Sequence, residues 1–78
     1  MKEYTIRISR KGTARLATGS LEYLTNYFAY TLSVGKSYEA EKGNKKINTA
    51  PKTVKSLVSN LNKASDNSGS STYYVLEG

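Results

Sequence analysis

The chain has 78 residues, with 12 Lys+Arg against 6 Asp+Glu, a net charge of +6, and neither His nor Cys. One small domain spanning 1–78 with a modest core fits that length, and the missing residue types exclude disulfides and any metal site built on imidazole or thiolate. No apolar run is long enough for a signal peptide or a membrane helix, so a cytoplasmic protein without membrane contact is expected, and the surplus positive charge favours phosphate-bearing or acidic partners.

Glu3 to Ser9 alternates, with Tyr4, Ile6 and Ile8 against Thr5, Arg7 and Ser9. That is the pattern of a half-buried strand. Thr13 to Thr18 alternates as well. Arg10-Lys11-Gly12 reads as a three-residue hairpin loop, with Gly12 at its left-handed position. Such a loop sets Ser9 opposite Thr13, Arg7 opposite Arg15, and Ile6 opposite Leu16, which keeps Ile6 and Leu16 on one face.

Gly19-Ser20 ends the second strand. Ser20 suits an N-cap and Glu22 suits a first helical turn, so a helix is expected from Leu21 to about Val34. Gly35 is its expected stop, with Lys36 near the negative end of the dipole. Lys36 to Lys46 reads as a polar loop with a turn at Gly43-Asn44. Ala50-Pro51 opens a second helix, whose apolar face is Val54, Leu57, Val58 and Leu61 and which ends near Ala64. Ser65 to Ser71 reads as a flexible connector, and Thr72 to Glu77 as a third strand. The expected class is α+β in the order β-β-α-α-β. Two helices pack on one face of a three-stranded sheet, and the third strand lies beside the first.

Three groups of residues are candidates for function. Arg7 and Arg15, set opposite each other, repel by up to about 1 kcal/mol, and a bound phosphate would offset that. Separation by Glu3, Glu77 or solvent would serve as well. Arg10 and Lys11 extend the same positive strip. On the first helix, Leu21, Leu24, Phe28 and Leu32 form one stripe. Tyr23, Tyr27, Tyr30 and Val34 form another, about 135° round the helix. The tyrosines can pack on the second helix, face another subunit, or stack a planar ligand. At the second helix, Lys45, Lys46 and Lys52 stand near an N-terminus that offers backbone N–H groups to an anion; a solvated polar face is the plainer alternative.

The chain carries no GxxxxGK[ST], no GxGxxG, and no Ser/His or Cys/His pairing. Its few carboxylates include only Glu39 with Glu41 as a pair, so neither catalysis nor a cofactor is expected. Tyr27-Phe28-Ala29-Tyr30-Thr31-Leu32, Lys46-Ile47-Asn48, and Pro51 through Leu61 together resemble short uncharacterised proteins of bacteriophage genomes. The resemblance covers most of the chain from Leu21 onward. It implies a small accessory protein made in the host cytoplasm and acting by binding. The reading that joins these features is a phosphate-ligand binder. Its ligand is a nucleic acid strand, or a nucleotide signal held between subunits of a homo-oligomer, in a sponge-like anti-defence role. The alternative is an inhibitor of a host protein, acting through the free edge of the second strand or through the Tyr stripe.

Overall fold

A computed structural model describes residues 2–77. Among them the chain forms β1 (Tyr4–Arg10), β2 (Thr13–Gly19), α1 (Leu21–Tyr27), α2 (Ala29–Lys42), α3 (Val54–Ser68) and β3 (Tyr73–Leu76). The α+β class holds. The expected first helix is two helices, so the order is β-β-α-α-α-β.

The hairpin corrects the expected register. Only Lys11 and Gly12 lie in the turn, and both have positive φ, 46° and 86°. That is the signature of a two-residue type I′ turn, whose twist matches that of the strands it joins. Losing one loop residue slides β2 by one place. Ile6 now pairs with Ala17, Arg7 with Leu16, Ile8 with Arg15, and Arg10 with Thr13. A one-residue slip sends every side chain of a strand to the opposite face. Arg7 and Arg15 therefore do not face each other. Arg15 joins Ile6 and Ile8 on the inner face, while Leu16 joins Arg7 on the outer face and is 65% exposed. Buried Ala17 and Gly19 take the inner positions instead. Their small size lets α1 lie close to β2, and a Cβ on Gly19 would come within 2.9 Å of the Tyr23 ring.

Lys11 is the one non-glycine residue with positive φ among the described residues. A left-handed L-residue costs about 1–2 kcal/mol, and Asn tolerates that region far better than Lys. Lys11→Asn is expected to raise the unfolding free energy by roughly 0.5–1 kcal/mol in a urea titration. A drop in stability would mean that the Lys11 side chain supports the turn.

The strand order is β2-β1-β3, with β3 antiparallel to β1 as its neighbour. Tyr74 pairs with Ile8 and Leu76 with Ile6, so Thr72, Tyr74 and Leu76 share the inner face.

Ser20 caps α1 as expected, its side chain accepting from the Tyr23 N–H at 3.1 Å. The backbone bends at Phe28, with φ −98° and ψ 11°. The 3.0 Å bonds from Phe28 N–H to Leu24 O and from Leu32 N–H to Phe28 O carry the ladder across the bend. α2 then runs through Gly35 and stops at Gly43, which has φ 65°. Gly35 is therefore no helix stop, and the segment from Lys36 is helical up to Lys42. Gly35 is buried where α2 crosses Ala64 of α3.

α3 begins after Thr53, whose hydroxyl accepts from the Ser56 N–H at 3.0 Å; Pro51 lies before it, buried. The helix passes Ala64 and reaches Ser68, so Ser65 to Ser68 is not a flexible connector. The Ser65 hydroxyl donates to Thr72 O at 2.6 Å, and Asn67 donates to Lys45 O at 3.0 Å. Polar composition misleads here because these side chains fasten the neighbouring backbone instead of solvating it. Asn60 does the same for Asn48 O. Glu39 accepts from the Ile47 N–H at 2.6 Å, which holds Ile47 in the core.

That core lies between the inner sheet face and the helices. Ile6, Leu24, Leu32, Leu57 and Leu61 are fully buried, with Phe28, Ile47, Val54, Ala64 and Tyr74 around them.

Candidate functional site

The inner sheet face extends past the core at the hairpin end. There the corrected register places Arg10, Thr13 and Arg15 beside Ile8 and Tyr74. The helix bend at Phe28 brings Tyr27, Tyr30 and Thr31 against them. The result is a cleft of about 530 Å³ between the hairpin and the α1–α2 bend, floored by Ile8, Phe28 and Tyr74 and reached by Thr72. Its size is that of a small-molecule site. Among the described residues, no carboxylate lines it.

Arg15 donates from Nη2 to the Tyr27 hydroxyl at 2.9 Å. A phenol orients the guanidinium without neutralising it, and four of its five N–H donors remain for another acceptor. Arg10 lies diagonally across from Arg15 on the same face, about 7–8 Å away by sheet geometry. Among the described residues the ion pairs are Arg7–Glu77 at 3.1 Å and Lys45–Asp66 at 2.9 Å. Neither involves the two cleft arginines.

The aromatic side of the cleft is a packed series. Phe28 meets Tyr27 edge-on at 4.9 Å between centroids, and Tyr74 edge-on at 5.7 Å. These contacts fix the Tyr27 ring, whereas Tyr30 is 81% exposed at the mouth. Burial pushes the Tyr74 phenol up from its ordinary value, and a hydrogen bond with Thr31 partly opposes the shift. Tyr74 therefore stays protonated through neutral pH and presents a neutral hydroxyl.

The structure thus brings together Arg10, Arg15, Tyr27 and Tyr30, with Lys11 exposed at the adjoining turn. It keeps the other candidates apart. Arg7 sits on the outer face, paired with Glu77. Lys45 is held by Asp66 near the C-terminal end of α3, so it does not stand at that helix's N-terminus. Thr53 already fills the Ser56 N–H there. Lys46 and Lys52 are exposed on their own. Tyr23 stacks on Tyr27 at 6.1 Å but lines a separate recess with Glu3, Thr18, Gly19 and Ser20. Of the Tyr stripe, Tyr23 and Tyr27 remain 52% and 46% exposed, while Tyr30 and half-buried Val34 line a recess with Ala64, Ser65 and Ser68 of α3.

Sequence reasoning did not single out Tyr74, Thr72 or Thr31. The alternation Thr72, Tyr74, Leu76 carries the signal for the first two, once β3 is placed beside β1. Among the described residues, no group of three or more His, Cys, Asp or Glu side chains could hold a metal ion, and no helix is long and apolar enough to cross a membrane.

Fold and site together define a small α+β protein with a one-sided sheet and a cationic, tyrosine-walled cleft. Comparison with protein-family models, curated proteins and solved structures gives no match.

Proposed function

We propose that the cleft binds a phosphate-bearing ligand that carries a planar base, one nucleotide unit at a time. The observation that carries this reading is the pairing of Arg10 and Arg15 with Tyr27 and Tyr30 in one cleft that, among the described residues, no carboxylate lines. Guanidinium groups take phosphate oxygens in bidentate fashion, and exposed phenol rings stack bases regardless of sequence. The unit is either a free nucleotide or part of a single strand, since both present the same chemistry. In the phage setting implied by the resemblance, such a protein sequesters a nucleotide signal of host defence or covers a strand. Inhibition of a host protein is the second reading. One observation favours it: β2 has a free edge, with Leu16 exposed beside it.

The test is fluorescence polarisation at low salt, using fluorescein-labelled oligothymidylate, with linear and cyclic nucleotides as competitors. A charge-assisted hydrogen bond is worth about 1.5–3 kcal/mol. Arg15→Ala is therefore expected to weaken binding roughly tenfold to a hundredfold, while Arg7→Ala on the outer face leaves it unchanged. A steep loss of affinity with salt identifies the strand as ligand; a shallow one identifies the free nucleotide. Absence of binding to every probe at low salt overturns the reading.

A further inference from the structure

We propose that β2 pairs with β2 of a second copy, antiparallel about Leu16, to build a continuous six-stranded sheet. This goes beyond the ligand reading and does not rest on it.

The two sheet edges are treated differently. β3 is sealed: Asn62 of α3 accepts from the Tyr74 N–H and donates to the Tyr74 O, both at 2.9 Å. Among the described residues, β2 has no such cover, and its seven residues include neither proline nor a bulge. Unsealed edges are templates for another strand.

The free groups can be assigned. Peptide groups alternate sides along a strand. The Glu77 N–H donates to Thr5 O at 2.8 Å, so Thr5, Arg7 and Ser9 turn theirs toward β3. Tyr4, Ile6, Ile8 and Arg10 then turn theirs toward β2, where Thr13, Arg15, Ala17 and Gly19 answer. Ala14, Leu16 and Thr18 are left pointing outward. They are evenly spaced about Leu16, the middle residue of the strand. A twofold axis there pairs Leu16 with Leu16 of the other copy and Ala14 with Thr18, and all six outward N–H groups find carbonyls.

Two further observations make a second copy the occupant. The hairpin end of β2 carries Arg10 and Lys11, while the opposite end adjoins Glu3 and Glu22, with Lys2 beside them. Antiparallel pairing brings the basic turn of one copy level with Ser20-Leu21-Glu22 of the other. Among the described residues, three of the five exposed large apolar side chains lie at this edge, Leu16 on the outer face and Tyr23 and Tyr27 on the inner, while Tyr30 and Tyr73 lie elsewhere. A twofold pairing covers Leu16 with its own counterpart.

The chain contains no cysteine, so single cysteines report the register cleanly. Hydrogen-bonded antiparallel partners have Cα atoms about 5.5 Å apart, inside the disulfide range. Leu16→Cys is expected to form a disulfide dimer on mild oxidation. Thr18→Cys alone should still pair but form no disulfide, and a mixture of Ala14→Cys with Thr18→Cys should cross-link. Light scattering should give twice the 8.6 kDa mass of the chain for the unmodified protein and the single mass for Leu16→Pro, which removes only an outward N–H. Circular dichroism confirms that Leu16→Pro is folded; if it is not, Leu16→Lys, which sets two ammonium groups opposite each other, replaces it. A monomer at millimolar concentration, equal cross-linking at 16 and 18, or a dimer indifferent to Leu16 would each overturn the proposal.

Discussion

Gly35→Ala is expected to lower the melting temperature by roughly 8–16 °C, about 2 kcal/mol for a domain of this size. Two effects oppose each other. Helix propensity alone makes alanine better than glycine by about 1 kcal/mol in a helix interior. Packing points the other way. A Cβ at Gly35 would meet the Ala64 Cβ, lie 2.7 Å from the Ala64 Cα, and lie 2.9 Å from the Ile47 Cδ1. The isoleucine tip can rotate away; a backbone carbon on a 15-residue helix cannot. Overpacking of a filled core costs about 1–3 kcal/mol and occasionally more, and contact with backbone puts this site at the upper end. Packing therefore wins. Total stability for this length is roughly 4–12 kcal/mol, so the loss is a sizeable share. The cause is checked by a double-mutant cycle with Ala64→Gly. Relief of the clash should appear as favourable coupling of about 1 kcal/mol or more between the two sites. Additive losses would show that α2 and α3 do not meet through these two residues.

Gly35 also shows where the sequence is ambiguous. A glycine after Leu32 and Val34 fits a helix stop as well as a helix crossing, and only the position of Ala64 on another helix distinguishes them. Features with a local cause were legible. Ser20 caps α1 because its hydroxyl reaches an N–H three residues on. Leu24, Phe28 and Leu32, like Val54, Leu57 and Leu61, are buried because a 3.6-residue period puts them on one face. The register was not legible, because β2 carries small apolar residues of both parities: Ala14 and Leu16 on one face, Ala17 on the other. A strand that satisfies either face leaves the choice to its turn, and the turn places a lysine in the left-handed region.

The site inherits that ambiguity. Arginine and tyrosine are the residue types for phosphate and base, and both were visible. Their meeting was not, because it depends on Arg15 lying on the inner face, one residue of slip away from the expected outer one. Arg7 keeps its outer position and pairs there with Glu77, so the slip divides a supposed arginine pair into one residue with a carboxylate and one beside a phenol.

The seal on β3 carries the second large effect. Asn62→Ala is expected to cost about 2–3 kcal/mol. The Tyr74 N–H and O both lose their partner, and each orphaned buried polar group costs about 1–3 kcal/mol; water at the sheet edge recovers part of that. Asn26→Ala, at an exposed position on α1, should stay within about 0.5 kcal/mol of the unmodified protein. The substitution has a second consequence that stability alone does not report. Opening Tyr74 gives the sheet a second unsealed edge, so chains that pair through β2 could also add through β3. Two open edges propagate, whereas one open edge closes at a dimer. Asn62→Ala is therefore expected to shift the protein from a closed species to concentration-dependent larger ones in light scattering, while the double variant Asn62→Ala/Leu16→Pro stops at pairs joined through β3. A loss of stability with no change in mass at any concentration would mean that Asn62 only fastens α3 to the sheet and does not guard its edge.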